Sequence, residues 1–368
     1  MSAMPKPCPA EAPATQPPAV AADPVALTVA PLAPGREPAW DAFVEAHAEG
    51  TMFHLSRWRE VFARAFGYET HLLAATRGED IAGVLPLVHV KTPMFGNALI
   101  SLGFYVYGGI LADGAQARAA LADAAAALGE RLGVDYVELR HREPLLSGWE
   151  TKAETYATFV ADIPAEEDAN LKMIPRKKRA DVRKGIANDR LTVDADAPLE
   201  AFYHCYATSL RNLGTPVQSL RYYRAIKDVF GERVEISTVS GPDGPVCGLL
   251  SFYWRDTVLP YFGGALPEAR ALHAYDYMYW ALMRRAAMRG CTRFDFGRSK
   301  TGTGAYDYKT YWGFQPQPLH YQYHLVKAQT LPDVNPNNPK YRAMVQTWQK
   351  LPLWLANTAG PFVARQLG

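Results

Sequence analysis

The chain has 368 residues, enough for two cores of ordinary size, since single domains usually run about 100–200 residues. Hydrophobic residues make up 48% and charged residues 21%, a globular balance, and the formal charge of +2 excludes a global electrostatic bias toward nucleic acid or membrane. Four scattered cysteines without a C-x-x-C exclude a disulfide framework or zinc knuckle and suit a reducing cytosol, and no apolar run reaches the ~18 residues of a membrane span.

Residues 1–35, opening "MSAMPKPCPAEAPATQPPAVAADP", are Pro/Ala-rich with no apolar signal-peptide core, and are expected to be disordered. A first lobe over 36–165 opens with the helices "AWDAFVEAHAEG" and "HLSRWREVFARAFG", each ending at a glycine suited to a C-cap. It continues through "IAGVLPLVHV", the aromatic strand "YVYGGIL", an alanine-rich helix over Ala115–Leu132 and "VDYVELRH". A second lobe over 166–328 repeats the order: two helices, "VCGLLSFYW", "LPYFGGAL", a helix from about Ala274 and "CTRFDFGRS". Strand-helix-strand units of this kind are parallel and right-handed, so the two lobes read as copies of one mixed α/β (α+β) unit. After the Pro/Asn linker "LPDVNPNNPK", residues 329–368 form a short helical extension rich in large apolar side chains.

The second lobe carries the chemistry-bearing strings. In "IPRKKRADVRKG", Arg176, Arg179 and Arg183 fall at i, i+3, i+7, with Lys177 and Lys184 on a second stripe. That stripe is either a solvated face or a phosphate track, and Val182 and Ile186 are left for the core. Asp276 stands in the first turn of its helix beside Tyr275, where the dipole favours it and where it could deprotonate an amine. Arg298 and Ser299 end the "RFDFGRS" strand, the end at which α/β sites collect. In "GTGAYDYKTYWGF", Lys309 beside Tyr308 is either an exposed lysine on a corner helix or a cation for a phosphate or an oxyanion. Walker and dinucleotide fingerprints fail, because Thr303 and Asp307 occupy required positions, and there is no G-x-S-x-G or H-E-x-x-H. His320 and His324 lack a third ligand, so no metal is expected.

Taken together, "YDYMYWALMRRAAMRG", "GCTRFDFGRS", "GAYDYKTYWGF", "FHLSRWREVF" and "PRKKRADVRKG" resemble the FemAB-type transferases, which are tandem GNAT-fold proteins. Its order and tail are similar to the FemAB-related proteins associated with exosortase/PEP-CTERM systems, a branch linked to exopolysaccharide production. The resemblance implies acyl or aminoacyl transfer to an amine, without metal or covalent intermediate. It places Tyr308 and Lys309 in the substrate cleft and carries over to Trp58, Tyr107 and Gly108 in the first lobe. The glycine-containing acyl-CoA loop of ordinary GNAT enzymes is replaced by "PEARALHAYD", and the coiled-coil arm of some relatives is absent.

The resulting expectation is an N-acyltransferase in the cytoplasm, with no tightly bound cofactor. Its donor would be an acyl thioester on coenzyme A or acyl carrier protein, or an aminoacyl-tRNA, and its acceptor a small-molecule or saccharide amine. Lys309, Tyr308 and Asp276 would act on the reacting atoms. Arg298, Ser299, Tyr275, Tyr261, Gly263, Tyr222, Tyr107, Gly108, His54 and Trp58 would bind substrate, and Arg176, Lys177, Arg179, Arg183 and Lys184 phosphate. The apolar extension would dock or touch a membrane peripherally, and no DNA partner is expected. Two other classes stay open: a binding module holding an anionic polymer or RNA on the basic helix, and a membrane-proximal assembly protein.

Overall fold

The structure is a computed structural model and describes residues 26–92, 96–332 and 339–365, the side chains of 339–343 excepted. Most of the segment read as disordered lies outside the described residues. Its end does not behave as expected: Leu27–Pro31 forms a strand, β1, with Leu27 opposite Arg77 and Pro31 opposite Leu73. Alternation in "LTVAP" puts Leu27 and Val29 on the inner side, which is enough to seat an edge strand.

The chain continues through α1 (Glu37–Ala46), α2 (Trp58–Phe66), β2 (Glu69–Arg77), β3 (Asp80–Thr92), β4 (Gly96–Ser101), β5 (Leu111–Ala112), α3 (Ala115–Leu132), β6 (Tyr136–His141), β7 (Glu150–Lys152) and β8 (Tyr156–Asp162). The second half holds α4 (Glu167–Met173), α5 (Arg176–Ile186), β9 (Thr192–Asp194), α6 (Leu199–Leu213), α7 (Leu220–Phe230), β10 (Val234–Gly241), β11 (Gly244–Trp254) and β12 (Thr257–Ala265). It ends with α8 (Ala274–Met288), β13 (Arg293–Lys300), α9 (Gly304–Tyr311), β14 (Pro316–Pro318), β15 (His320–Leu325), α10 (Pro339–Gln349) and α11 (Leu353–Ala364).

Two sheets result, ordered β1-β2-β3-β4-β6-β15-β7 and β9-β10-β11-β12-β13-β8-β14. They match position by position, with the parallel pairs β4/β6 and β12/β13 at the same place in each. The next position in each sheet is filled reciprocally: β15 pairs with β6, and β8 pairs with β13. Each half of the chain therefore completes the other's sheet. In the first copy the parallel strand is β4, not "YVYGGIL", which runs irregularly into β5.

A shared aromatic core joins the halves. Trp58 packs on Tyr105 and Phe230 with centroids 4.3 and 4.5 Å apart, and the Tyr105 and Tyr222 hydroxyls meet at 2.5 Å. The extension docks on the protein: Trp348 is buried, Gln349 donates to the Asn212 carbonyl of α6 at 3.2 Å, and Tyr68 donates to the Arg365 carbonyl. No helix among the described residues is long and apolar enough to cross a membrane.

Candidate active site

β12 and β13 pair only at Thr257–Arg293 and Val258–Phe294, then separate toward their C-terminal ends. Beyond that opening lies the head of α8, whose first turn carries Asp276. Gly185 lets α5 approach: an added Cβ would lie 2.6 Å from Tyr277 Cβ and 2.9 Å from the His273 carbonyl. The contact brings Lys178 of α5 to Asp276, Nζ donating to Oδ1 at 2.8 Å, and α9 brings Tyr308, whose hydroxyl donates to the same Oδ1 at 2.7 Å. The Lys178 ammonium also stands over the Tyr308 ring, 4.7 Å from its centroid. Burial first, then the Asp276 charge, hold Tyr308 well above the ordinary phenol range, so it stays protonated as a donor. Lys178, Arg270, His273, Tyr275, Asp276 and Tyr308 line a cavity of about 870 Å³ here. Both bonds to Asp276 use Oδ1, which leaves Oδ2 to take a proton from an incoming amine.

A second cavity, about 360 Å³, lies between the halves at the other end of β12, where Thr257 and Leu259 line it. It is also the C-terminal end of β6, so each half has a cavity beyond its parallel pair. Asp295 of β13 forms part of its wall and accepts from the Gly297 amide at 2.8 Å and the Tyr107 hydroxyl at 3.0 Å, with Arg142 at 3.5 Å. Arg142 also covers the Tyr107 ring at 4.3 Å. His54 and His141 line the same cavity; burial draws their imidazoles down to about 4 and about 3, so both are neutral near pH 7. His54 Nδ1 accepts the Thr51 amide at 3.1 Å, and His141 Nε2 accepts the Ile110 amide at 2.9 Å.

The structure distributes the expected site residues among several places. Asp276, Tyr275 and Tyr308 meet at the first cavity; His54, Tyr107 and Gly108 line the second. Trp58 and Tyr222 are core residues, and Tyr261 joins the same aromatic cluster, 5.3 Å from Tyr105. Gly263 lies on β12 where an added Cβ would meet the Tyr279 hydroxyl at 2.6 Å. Arg298 stacks on Tyr156 at 4.7 Å and donates to the Tyr321 hydroxyl, while Ser299 is buried. Lys309 lines neither cavity. Its ammonium donates to the Gly297 and Arg298 carbonyls at 3.0 and 2.9 Å, where Gly297 (φ 65°) forms a bulge in β13.

On α5, Arg176, Lys177, Arg183 and Lys184 are exposed, and Arg179 caps the preceding turn by donating to the Ile174 and Lys172 carbonyls. Ile186, expected in the core, is 40% exposed. The inward cation is Lys178, one turn before buried Val182, and that i, i+4 relation was the available signal. Asp295 had a weaker signal, the alternation of "RFDFG" that turns it away from Phe294 and Phe296. Arg142 and His141 had none, because the fold alone brings the end of β6 against β13.

These features define a tandem GNAT-like fold with a cavity at the head of the second lobe's crossover helix. Residues 172–310 match the family model described as the acetyltransferase (GNAT) domain, a segment that contains Lys178, Asp276, Tyr308 and Lys309. No curated protein matches the chain. Among solved structures the chain is similar to FemX, with 15% identity and TM-score 0.63 over 87% of this chain and 100% of that one. It is similar also to the C-terminal domain of a putative lysylphosphatidylglycerol synthetase from Agrobacterium fabrum, with 9% identity and TM-score 0.54 over 78% of this chain and 90% of that one. A tandem GNAT protein from the clavulanic acid biosynthesis pathway aligns with 11% identity and TM-score 0.52 over 84% of this chain and 100% of that one. At these identities the likeness is one of fold.

Proposed function

We propose that the protein is an N-acyltransferase or aminoacyltransferase that forms an amide on a small-molecule or saccharide amine at the head of α8. The observation that carries the reading is Asp276, clamped through Oδ1 by Tyr308 and Lys178 within the segment matching the GNAT domain. As the amine nitrogen attacks the donor carbonyl, Asp276 Oδ2 takes its proton. The Lys178 ammonium, with N–H bonds to spare, balances charge developing on the carbonyl oxygen. The bond from the carbonyl carbon to the thioester sulfur, or to the ribose oxygen of an aminoacyl-tRNA, then breaks, and the departing sulfur or oxygen takes up the proton from Asp276, which restores the carboxylate. Arg270 and His273 flank the cavity for an anionic donor, and exposed Arg176, Lys177, Arg183 and Lys184 on α5 hold its carrier.

The wider setting, exopolysaccharide or cell-envelope assembly in the cytoplasm, is proposed on the motif resemblance. Peripheral contact with the inner membrane is proposed on Trp354 and Phe362, which are 69% and 61% exposed on α11. The test incubates the full chain with acyl-CoA, acyl carrier protein and aminoacyl-tRNA donors against a panel of amines and amino sugars, read by mass spectrometry. An amide product from one donor class supports the proposal; no amide from any of them contradicts it.

A further inference from the structure

The first sheet carries a donor set that neither cavity uses. Glu69 and His71 lie two apart on β2, so they share a face, and Glu69 is directly opposite His89 on β3. One ligating atom from each of Glu69, His71 and His89 lies within 4.8 Å of the others. His71 Nε2 is buried and has no hydrogen-bond partner among the described residues; it stands 3.6 Å from Glu69 Oε1. That separation is long for a hydrogen bond. It is close to the edge of a tetrahedron around an ion with bonds of about 2.0–2.2 Å, which is roughly 3.3–3.6 Å.

The surroundings orient the ligands. His89 Nε2 donates to Asn97 Oδ1 at 2.6 Å, and Asn97 Nδ2 donates to the Gly133 carbonyl at 3.0 Å, which fixes the amide. His89 therefore carries its proton on Nε2 and keeps the Nδ1 lone pair for a ligand, the outer hydrogen bond typical of metal-bound imidazoles. Gly133 closes α3, and the carbonyl end of a helix favours a cation. Arg131, which acts on His71, and Lys91, beside His89, oppose it, both from long flexible stems.

We propose that Glu69, His71 and His89 bind one divalent cation across β2 and β3, with a fourth position left to water. Two imidazoles and one carboxylate suit Zn²⁺ and disfavour the all-oxygen cations Mg²⁺ and Ca²⁺. The test titrates Zn²⁺ alone into the full chain carrying Cys8→Ser, in competition with a chromophoric chelator. One equivalent should bind and raise the melting temperature. The double variant His71→Ala/Glu69→Gln should bind at least about 100-fold more weakly and lose the thermal shift, with an unchanged far-UV spectrum. Asn97→Ala should cost roughly 10- to 100-fold, as outer-shell partners do. No uptake by the parent, or uptake unchanged in the double variant, overturns the proposal.

Discussion

Tyr308 donates its hydroxyl to Asp276 Oδ1 at 2.7 Å, while the next residue, Lys309, turns to the carbonyls of Gly297 and Arg298. One short helix thus completes the first cavity and pins the strand that walls the second. Removing the hydroxyl in Tyr308→Phe takes away one charge-assisted bond of about 1.5–3 kcal/mol, so turnover should fall roughly 10- to 100-fold. Steady-state kinetics should show the loss in kcat rather than in donor binding.

Lys309 has a stability signature. Burial draws its ammonium down to about 7, with Asp295 opposing the shift and Arg298 adding to it. Between that value and the ordinary lysine range the unfolded chain binds the extra proton, so stability rises with pH across this window. Denaturant unfolding from pH 6 to 10 should show that rise in the parent. Lys309→Met, which also strips two carbonyls of their donor, should show a flatter profile.

The imidazoles work in the acid range. His54 and His141 stay neutral when folded down to about 4 and about 3, whereas the unfolded chain protonates them near 6.5. The unfolded state binds more protons as pH falls through this range, so stability is lost below about 6.5. His141→Gln should shrink the acid-dependent part of the unfolding midpoint, read between pH 6.5 and 4.5.

Gly185 controls how closely α5 meets α8. A side chain there must move the Tyr277 Cβ or the His273 carbonyl, so Gly185→Leu should cost about 1–3 kcal/mol and pull Lys178 from Asp276. Activity should fall more than in Lys178→Met, which leaves the helices packed. Trp312, 1% exposed against Phe296 and Tyr279, gives the contrasting case. Trp312→Ala should destabilise by about 3–5 kcal/mol, seen as a lower urea midpoint.

Local rules carried much of the fold. Helix periodicity with glycine stops marked α2, α6 and α7, which end at Gly67, Gly214 and Gly231, while α1 stops at Ala46, short of the expected Gly50; the repeated order of elements exposed the duplication. They could not reveal that β8 and β15 cross between sheets, because pairing across more than a hundred residues leaves no local trace. The site divided the same way. Asp276, in the first turn of a helix that follows a strand, was marked by its position, and Tyr308 only by the family resemblance, whereas Lys178 was masked by the more conspicuous arginine stripe beside it. Lys309 was expected at the reacting atoms, but the structure turns it to carbonyls at a bulge that depends on Gly297, partners that no local pattern announces.

The most direct test compares the parent with Asp276→Asn, a near-isosteric change that removes the proton acceptor and keeps an oxygen for Tyr308 and Lys178. Amide formation per folded molecule under single-turnover conditions, followed by mass spectrometry with donor in excess, should drop roughly 100- to 10,000-fold. Equal amide yield and rate in the two proteins would contradict the assignment of the chemistry to this carboxylate.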